Sequence, residues 1–98
     1  MIEYIEVNLD REIALSALAQ TAGMSPHYFS ELFKQSVHIS PYQYVLRRRI
    51  EHARKLLEEP SVTVFEAAMR SGFSDQSQFT KIFRRAVGVT PTSYRAAL

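Results

Sequence analysis

The sequence predicts an all-α fold, two helix-turn-helix units joined by a long connecting helix, on three observations. In residues 41–59 the apolar side chains Leu46, Ile50, Ala53 and Leu57 step by four, three and four, as one stripe of a helix with about 3.6 residues per turn does. Arg47, Arg48, Arg49, Glu51, Arg54, Lys55, Glu58 and Glu59 occupy its other faces. One pattern then occurs on both sides of that stretch. Ala19 and Gly23 match Ala68 and Gly72 at an offset of 49, and Phe29, Leu32, Phe33, Val37, Pro41 and Tyr44 match Phe79, Ile82, Phe83, Val87, Pro91 and Tyr94 at an offset of 50. In each copy a first run ends on glycine and a second, amphipathic run restarts within a few residues, the layout of two helices joined by a tight turn.

The first unit is assigned to residues 1–40. Ile2, Ile5 and Leu9 have the spacing of the buried side of a short helix, which Asp10, Arg11 and Glu12 end as a loop. Ile13 and Leu15 lead into a helix over residues 16–22, stopped by Gly23. Ser25 and Pro26 restart the chain as a helix, with a hydroxyl at the N-cap and a proline whose missing N–H costs nothing in the first turn. Phe29, Leu32, Phe33 and Val37 form its apolar face.

Ser40 and Pro41 open the connecting helix, assigned to residues 41–59, and Pro60 stops it. Its length is roughly 27 Å at 1.5 Å per residue. The second unit is assigned to residues 60–98. The change of offset puts one additional residue in its turn, with Asp75 as N-cap and Gln78 placed to close a capping box. Ala19 and Ala68, four residues before their glycines, are small where consecutive helices must approach closely. Phe65 is expected to fill volume that Ala67 leaves open.

Composition narrows the function. Ninety-eight residues at 46% hydrophobic content suit one globular domain, and zero cysteines exclude disulfides and thiolate metal sites. No apolar run approaches the roughly 20 residues of a membrane span, and the N-terminal residues carry glutamates that a signal peptide lacks. His27, His38 and His52 have no ligand spacing, so no metal or cofactor is expected. No nucleophile–base arrangement or glycine-rich phosphate loop occurs, so the chain is not read as an enzyme.

The net charge of +2 conceals a split. Up to Phe33 one base faces five acids, and from Lys34 on eleven bases face five acids. A polyanion is therefore expected on the later part of the chain. The polar faces of the two second helices correspond position by position: His27 with Ser77, Ser30 with Thr80, Glu31 with Lys81, and Lys34 with Arg84.

In a helix-turn-helix the second helix enters the major groove and its early residues read base edges. His27, Ser30 and Glu31, then Gln76, Ser77, Thr80 and Lys81, are the candidate base readers. Lys34, Arg47, Arg48, Arg84, Arg85 and Arg95 are the candidate phosphate contacts. A rigid connecting helix of that length would register the two readers in successive major-groove segments, about 34 Å apart. The alternative reading is a helical protein–protein interaction module without direct DNA readout.

The residues carrying these patterns resemble the DNA-binding domain of the AraC/XylS family of bacterial transcription regulators over nearly the whole chain. They are Ala22-Gly23-Met24-Ser25, Phe29, Leu32-Phe33-Lys34, Pro41, Tyr44, Arg49, Ala53 and Leu56-Leu57. The later part adds Gly72-Phe73-Ser74-Asp75-Gln76-Ser77, Phe79, Phe83-Arg84-Arg85, Gly88, Thr90-Pro91 and Tyr94-Arg95. The resemblance implies about seven helices in a homeodomain-like pair of units, a cytoplasmic location, and control of transcription initiation through promoter DNA, often with RNA polymerase contact. It also implies a separate effector-binding or dimerisation domain in most members, so the chain is either an excised domain or a short stand-alone member. Glu31 and Ala67 depart from the family pattern, which commonly has an arginine or another polar reader at the first and a larger apolar residue at the second.

Overall fold

The computed structural model describes residues 2–98. Among them it has seven α-helices and no strand: α1 (Ile2–Val7), α2 (Leu15–Thr21), α3 (Pro26–Val37), α4 (Pro41–Leu57), α5 (Val64–Arg70), α6 (Gln76–Val87) and α7 (Pro91–Ala96). The chain divides into two compact units, one up to Arg48 and one from Arg49, so the division falls inside α4.

The starts of α3 to α7 are specified locally by side-chain caps, whereas Ala14 before α2 supplies none. The Ser25 hydroxyl accepts from Tyr28 N at 3.3 Å, and Pro26 follows in the first turn of α3. Ser40 and Gln43 cap α4 reciprocally: Gln43 N donates to Ser40 Oγ and Ser40 N donates to Gln43 Oε1, both at 3.2 Å. Thr63 and Glu66 form the same box on α5, and Thr90 Oγ1 accepts from Ser93 N at 3.1 Å on α7. Each such cap is worth about 1 kcal/mol.

The glycine turns are alike in both units. Gly23 N donates to Gln20 O and Met24 N to Ala19 O, at 3.0 and 2.9 Å, while Gly72 N donates to Met69 O and Phe73 N to Ala68 O, both at 3.1 Å. This is the Schellman pairing, and it needs the left-handed glycines, with φ of 71° and 90°. Ala19 and Ala68 are buried at its base, as their small size predicts. The extra residue of the second turn lies after the glycine, so the pairing is undisturbed.

In the first unit Ile5, Leu9, Leu18, Ala19, Phe29, Phe33 and Val45 form the core. In the second, Ile50, Ala53, Leu57, Val62, Ala67, Ala68, Phe73, Phe79 and Phe83 are buried. The repeat extends to ring geometry. Phe29 packs on Phe33 at 5.8 Å and Phe33 meets the edge of Tyr44 at 5.6 Å; Phe79 packs on Phe83 and Phe83 on Tyr94, both at 5.5 Å. Each pair adds about 0.5–1.5 kcal/mol beyond its buried area. Ser71, the one buried polar residue of the described core, is partnered by His52 Nδ1 at 3.2 Å.

Four packing expectations are corrected. Leu46 is only half-buried and Val45 takes the core position, because each half of α4 buries its own face, Pro41 and Val45 first, then Ile50, Ala53 and Leu57. Ile2 is 43% exposed, at the rim of a shallow apolar cleft with Met24 and Val37, since the first turn of a six-residue helix is covered on few sides. Phe65 is 55% exposed and fills nothing beside Ala67. Gln78 does not close a capping box: its carbonyl accepts from the Ser74 hydroxyl at 3.0 Å, while only its backbone N donates to Asp75, at 2.7 Å.

Candidate nucleic-acid interface

Burying Phe79 and Phe83 on α6 dictates which side chains remain outside. At about 100° per residue, Ser77, Lys81 and Arg84 fall within about 60° of one another, opposite the phenylalanines. Thr80 then Gln76 continue the strip on one side, and Arg85 then Gln78 on the other. Gln76, Ser77, Lys81, Arg84 and Arg85 are exposed, and Thr80 is half-buried where the strip meets the core.

The same construction holds on α3, because the offset of 50 preserves register from cap to helix end. Phe29 and Phe33 are buried, His27, Glu31 and Lys34 are exposed, and Ser30 is half-buried. All seven candidate base readers therefore lie on the solvent side of the second helix of a turn, or at its margin. The two faces differ in charge. Lys81, Arg84 and Arg85 on α6 correspond to Glu31, Lys34 and Gln35 on α3, three positive charges against none net.

The candidate phosphate contacts separate into two groups. Lys34, Arg47, Arg84 and Arg85 are exposed. Arg48 and Arg95 are instead engaged within the fold. Arg48 pairs with Glu6 of α1, Nε to Oε1 at 2.5 Å and Nη2 to Oε2 at 3.1 Å, with both side chains about one-third exposed. Arg95 donates from Nε to Leu57 O at 3.2 Å and from Nη2 to Val62 O. Those carbonyls close the end of α4 and the following turn, where unsatisfied acceptors attract a cation. The Arg54 guanidinium lies 5.4 Å from the Tyr94 ring centroid.

Sequence reasoning passed over two exposed side chains beside the strips, Tyr28 on α3 and Gln78 on α6. The repeat could have found them, since they share one position of it. Among the described residues no group of three or more His, Cys, Asp or Glu could hold a metal ion. No helix among them is long and apolar enough to cross a membrane.

Known proteins share both pattern and fold. The profile of the helix-turn-helix domain family matches residues 18–97. The probable transcriptional regulator LumQ of Photobacterium leiognathi is 39% identical over 92 residues, covering 94% of this chain and 37% of that protein. The virulence regulon transcriptional activator VirF of Yersinia enterocolitica is 38% identical over 93 residues, covering 95% of this chain and 34% of that protein. The chain thus spans about a third of the length of these curated relatives.

Among solved structures, the DNA-binding domain of the global transcriptional factor AdpA, in complex with a target DNA, matches with a TM-score of 0.93 at 31% identity, covering 98% of this chain and 86% of that one. The C-terminal domain of the response regulator yesN from Fusobacterium nucleatum matches with a TM-score of 0.91 at 30% identity, covering 96% and 92%. A family match over residues 18–97, two capped and repeated helix-turn-helix units, and a neighbour solved on DNA agree: the chain belongs to the AraC/XylS family of DNA-binding transcription regulators.

Proposed function

We propose that this chain binds promoter DNA sequence-specifically, with α3 and α6 each entering a major-groove segment and reading base edges from the early part of the helix. His27, Ser30 and Glu31 read from α3, and Gln76, Ser77, Thr80 and Lys81 from α6. The observation that carries this reading is the exposed polar strip of α6, backed by two buried phenylalanines and ending on two arginines. Donors early in such a helix suit base edges, and cations further along suit phosphates. Lys34, Arg47, Arg84 and Arg85 supply the phosphate contacts.

The regulated step is transcription initiation in the cytoplasm, a reading supported by relatives named as transcriptional regulators. Contact with RNA polymerase, and a separate effector-binding or dimerisation domain, belong to the same proposal. The test is selection from a pool of random duplexes, followed by affinity of the selected site against salt. Four phosphate contacts give a log–log slope of about −3.6. Absence of duplex binding at low salt, or a flat slope, favours the protein-interaction module.

A further inference from the structure

We propose that Tyr28 and Gln78 are uncharged contacts to the DNA phosphate backbone, one beside each reading helix, and that Ser74 holds Gln78 in position for that contact. The proposal rests on the DNA-binding reading above and adds contacts that release no counterion. The two residues occupy one place in the repeat, the third residue of their helices. In both, the backbone N–H is taken by the cap, Tyr28 N by Ser25 Oγ and Gln78 N by Asp75 Oδ1. Only their side chains remain for an outside partner.

Their direction follows from the helix. Gln78 lies about 60° beyond Lys81, and about 20° beyond Arg85, on the outer flank of the polar strip. A recognition helix seated in a groove turns its centre to the bases and its flanks to the phosphates. Tyr28 stands at the same angle on α3 and is 57% exposed, which leaves its ring and hydroxyl open to an outside partner. A phenol serves the flank well, since its hydroxyl donates to a phosphate oxygen while its ring covers the sugar edge.

The chemistry of Gln78 is narrowed further by Ser74, the residue the second turn has in excess. The Ser74 hydroxyl donates to Gln78 Oε1 at 3.0 Å, which engages one lone pair of the amide oxygen and leaves the two N–H donors. A free glutamine pairs with adenine by donating and accepting at once. With one lone pair of its oxygen engaged and its rotamer fixed by that bond, Gln78 keeps both N–H donors for a partner, and phosphate oxygen is the acceptor presented at the flank. In the first unit no such clamp is needed, because a tyrosine ring has fewer rotamers to fix.

The experiment measures Tyr28→Phe, Gln78→Ala, Gln78→Glu, Ser74→Ala and the Ser74→Ala/Gln78→Ala double variant. Each is titrated against the duplex selected by the wild type and against a scrambled duplex, at two salt concentrations, with thermal melting alongside. Tyr28→Phe and Gln78→Ala are expected to weaken both duplexes by the same factor, roughly tenfold to a hundredfold for a hydrogen bond to a charged group, with melting and salt slope unchanged. Ser74→Ala should lose less, and nothing more once Gln78 is alanine. Gln78→Glu keeps the acceptor for Ser74 but turns a carboxylate to the phosphates, so its loss should exceed that of alanine and shrink as salt rises. A loss confined to the selected duplex overturns the phosphate assignment, and unchanged affinity in Tyr28→Phe and Gln78→Ala overturns the contact. A wild type that binds no duplex overturns instead the DNA reading on which the proposal rests.

Discussion

The Nε of Arg95 donates to the carbonyl oxygen of Leu57 across 3.2 Å, tying α7 to the last turn of α4. Its second donation, from Nη2 to Val62 O, fixes the turn that follows. Arg95→Ala is therefore expected to lower stability by roughly 1.5–3 kcal/mol, the range for hydrogen bonds to charged groups. Arg95→Lys should recover little, because an ammonium cannot reproduce a fork reaching two carbonyls. Urea unfolding checks this, and the salt slope of DNA binding should not move. A variant of unchanged stability but shallower slope would return Arg95 to the phosphate contacts.

His38 ends α3 in the left-handed region at φ 72°, where α6 ends on Gly88 at φ 95°. Both backbone N–H groups close their helix at 2.8 Å, on Lys34 O and Arg84 O. An L-residue pays about 1–2 kcal/mol for this conformation. His38→Gly should thus stabilise the first unit by about 1 kcal/mol. Gly88→Ala should destabilise the second by a similar amount for conformational reasons alone, since a Cβ there meets nothing within 4 Å. Denaturant midpoints of the two variants moving in the same direction would contradict the account.

Lys81 stands mid-strip on α6 and Arg85 towards its flank, so their losses should differ in kind. Lys81→Ala is expected to cost about 1–3 kcal/mol on the selected site and to relax choice at one base pair. Arg85→Ala should weaken every duplex alike and make the salt slope shallower by about 1. Competition between selected and random duplexes distinguishes the two. Equal losses for Lys81→Ala on both would move it to the phosphate class.

Glu31 carries the one negative charge of the α3 face, at the position where α6 has Lys81. Glu31→Ala should raise affinity for random duplex about threefold at low salt, on the scale of a single exposed charge interaction. That gain should shrink as salt rises, and any preference Glu31 supports should blunt. Weaker random binding by the variant would place Glu31 in a structural role instead.

What the sequence made legible depended on whether the determinant was local. The buried pairs Phe29–Phe33 and Phe79–Phe83 were readable because helical period and a fixed offset specify them together, whereas the edge contacts of Tyr44 and Tyr94 with them show only in the fold. The caps at Ser25, Ser40 and Asp75 were readable because a cap and its partner lie three residues apart. The contacts of Arg48 and Arg95 within the fold were not legible because their partners Glu6, Leu57 and Val62 lie dozens of residues away and two of them act through the main chain. The Ser74 bond escaped notice because Asp75 and Ser74 both offered Gln78 a plausible partner, and only geometry decides between them.

The fixed offset also makes the second helices interchangeable parts. From Ser25 to Tyr44, and from Asp75 to Tyr94, cap faces cap, phenylalanine faces phenylalanine, and His38 faces Gly88 without a gap. The register breaks just outside both ends: the glycine turns differ in length by one residue, and after the tyrosines Val45 is buried where Arg95 reaches for carbonyls. A graft of residues 75–94 over residues 25–44 would carry Lys81, Arg84 and Arg85 onto the acidic unit while leaving both junctions native. DNA preference in this scaffold could then be rewritten one cassette at a time, with no redesign of either core.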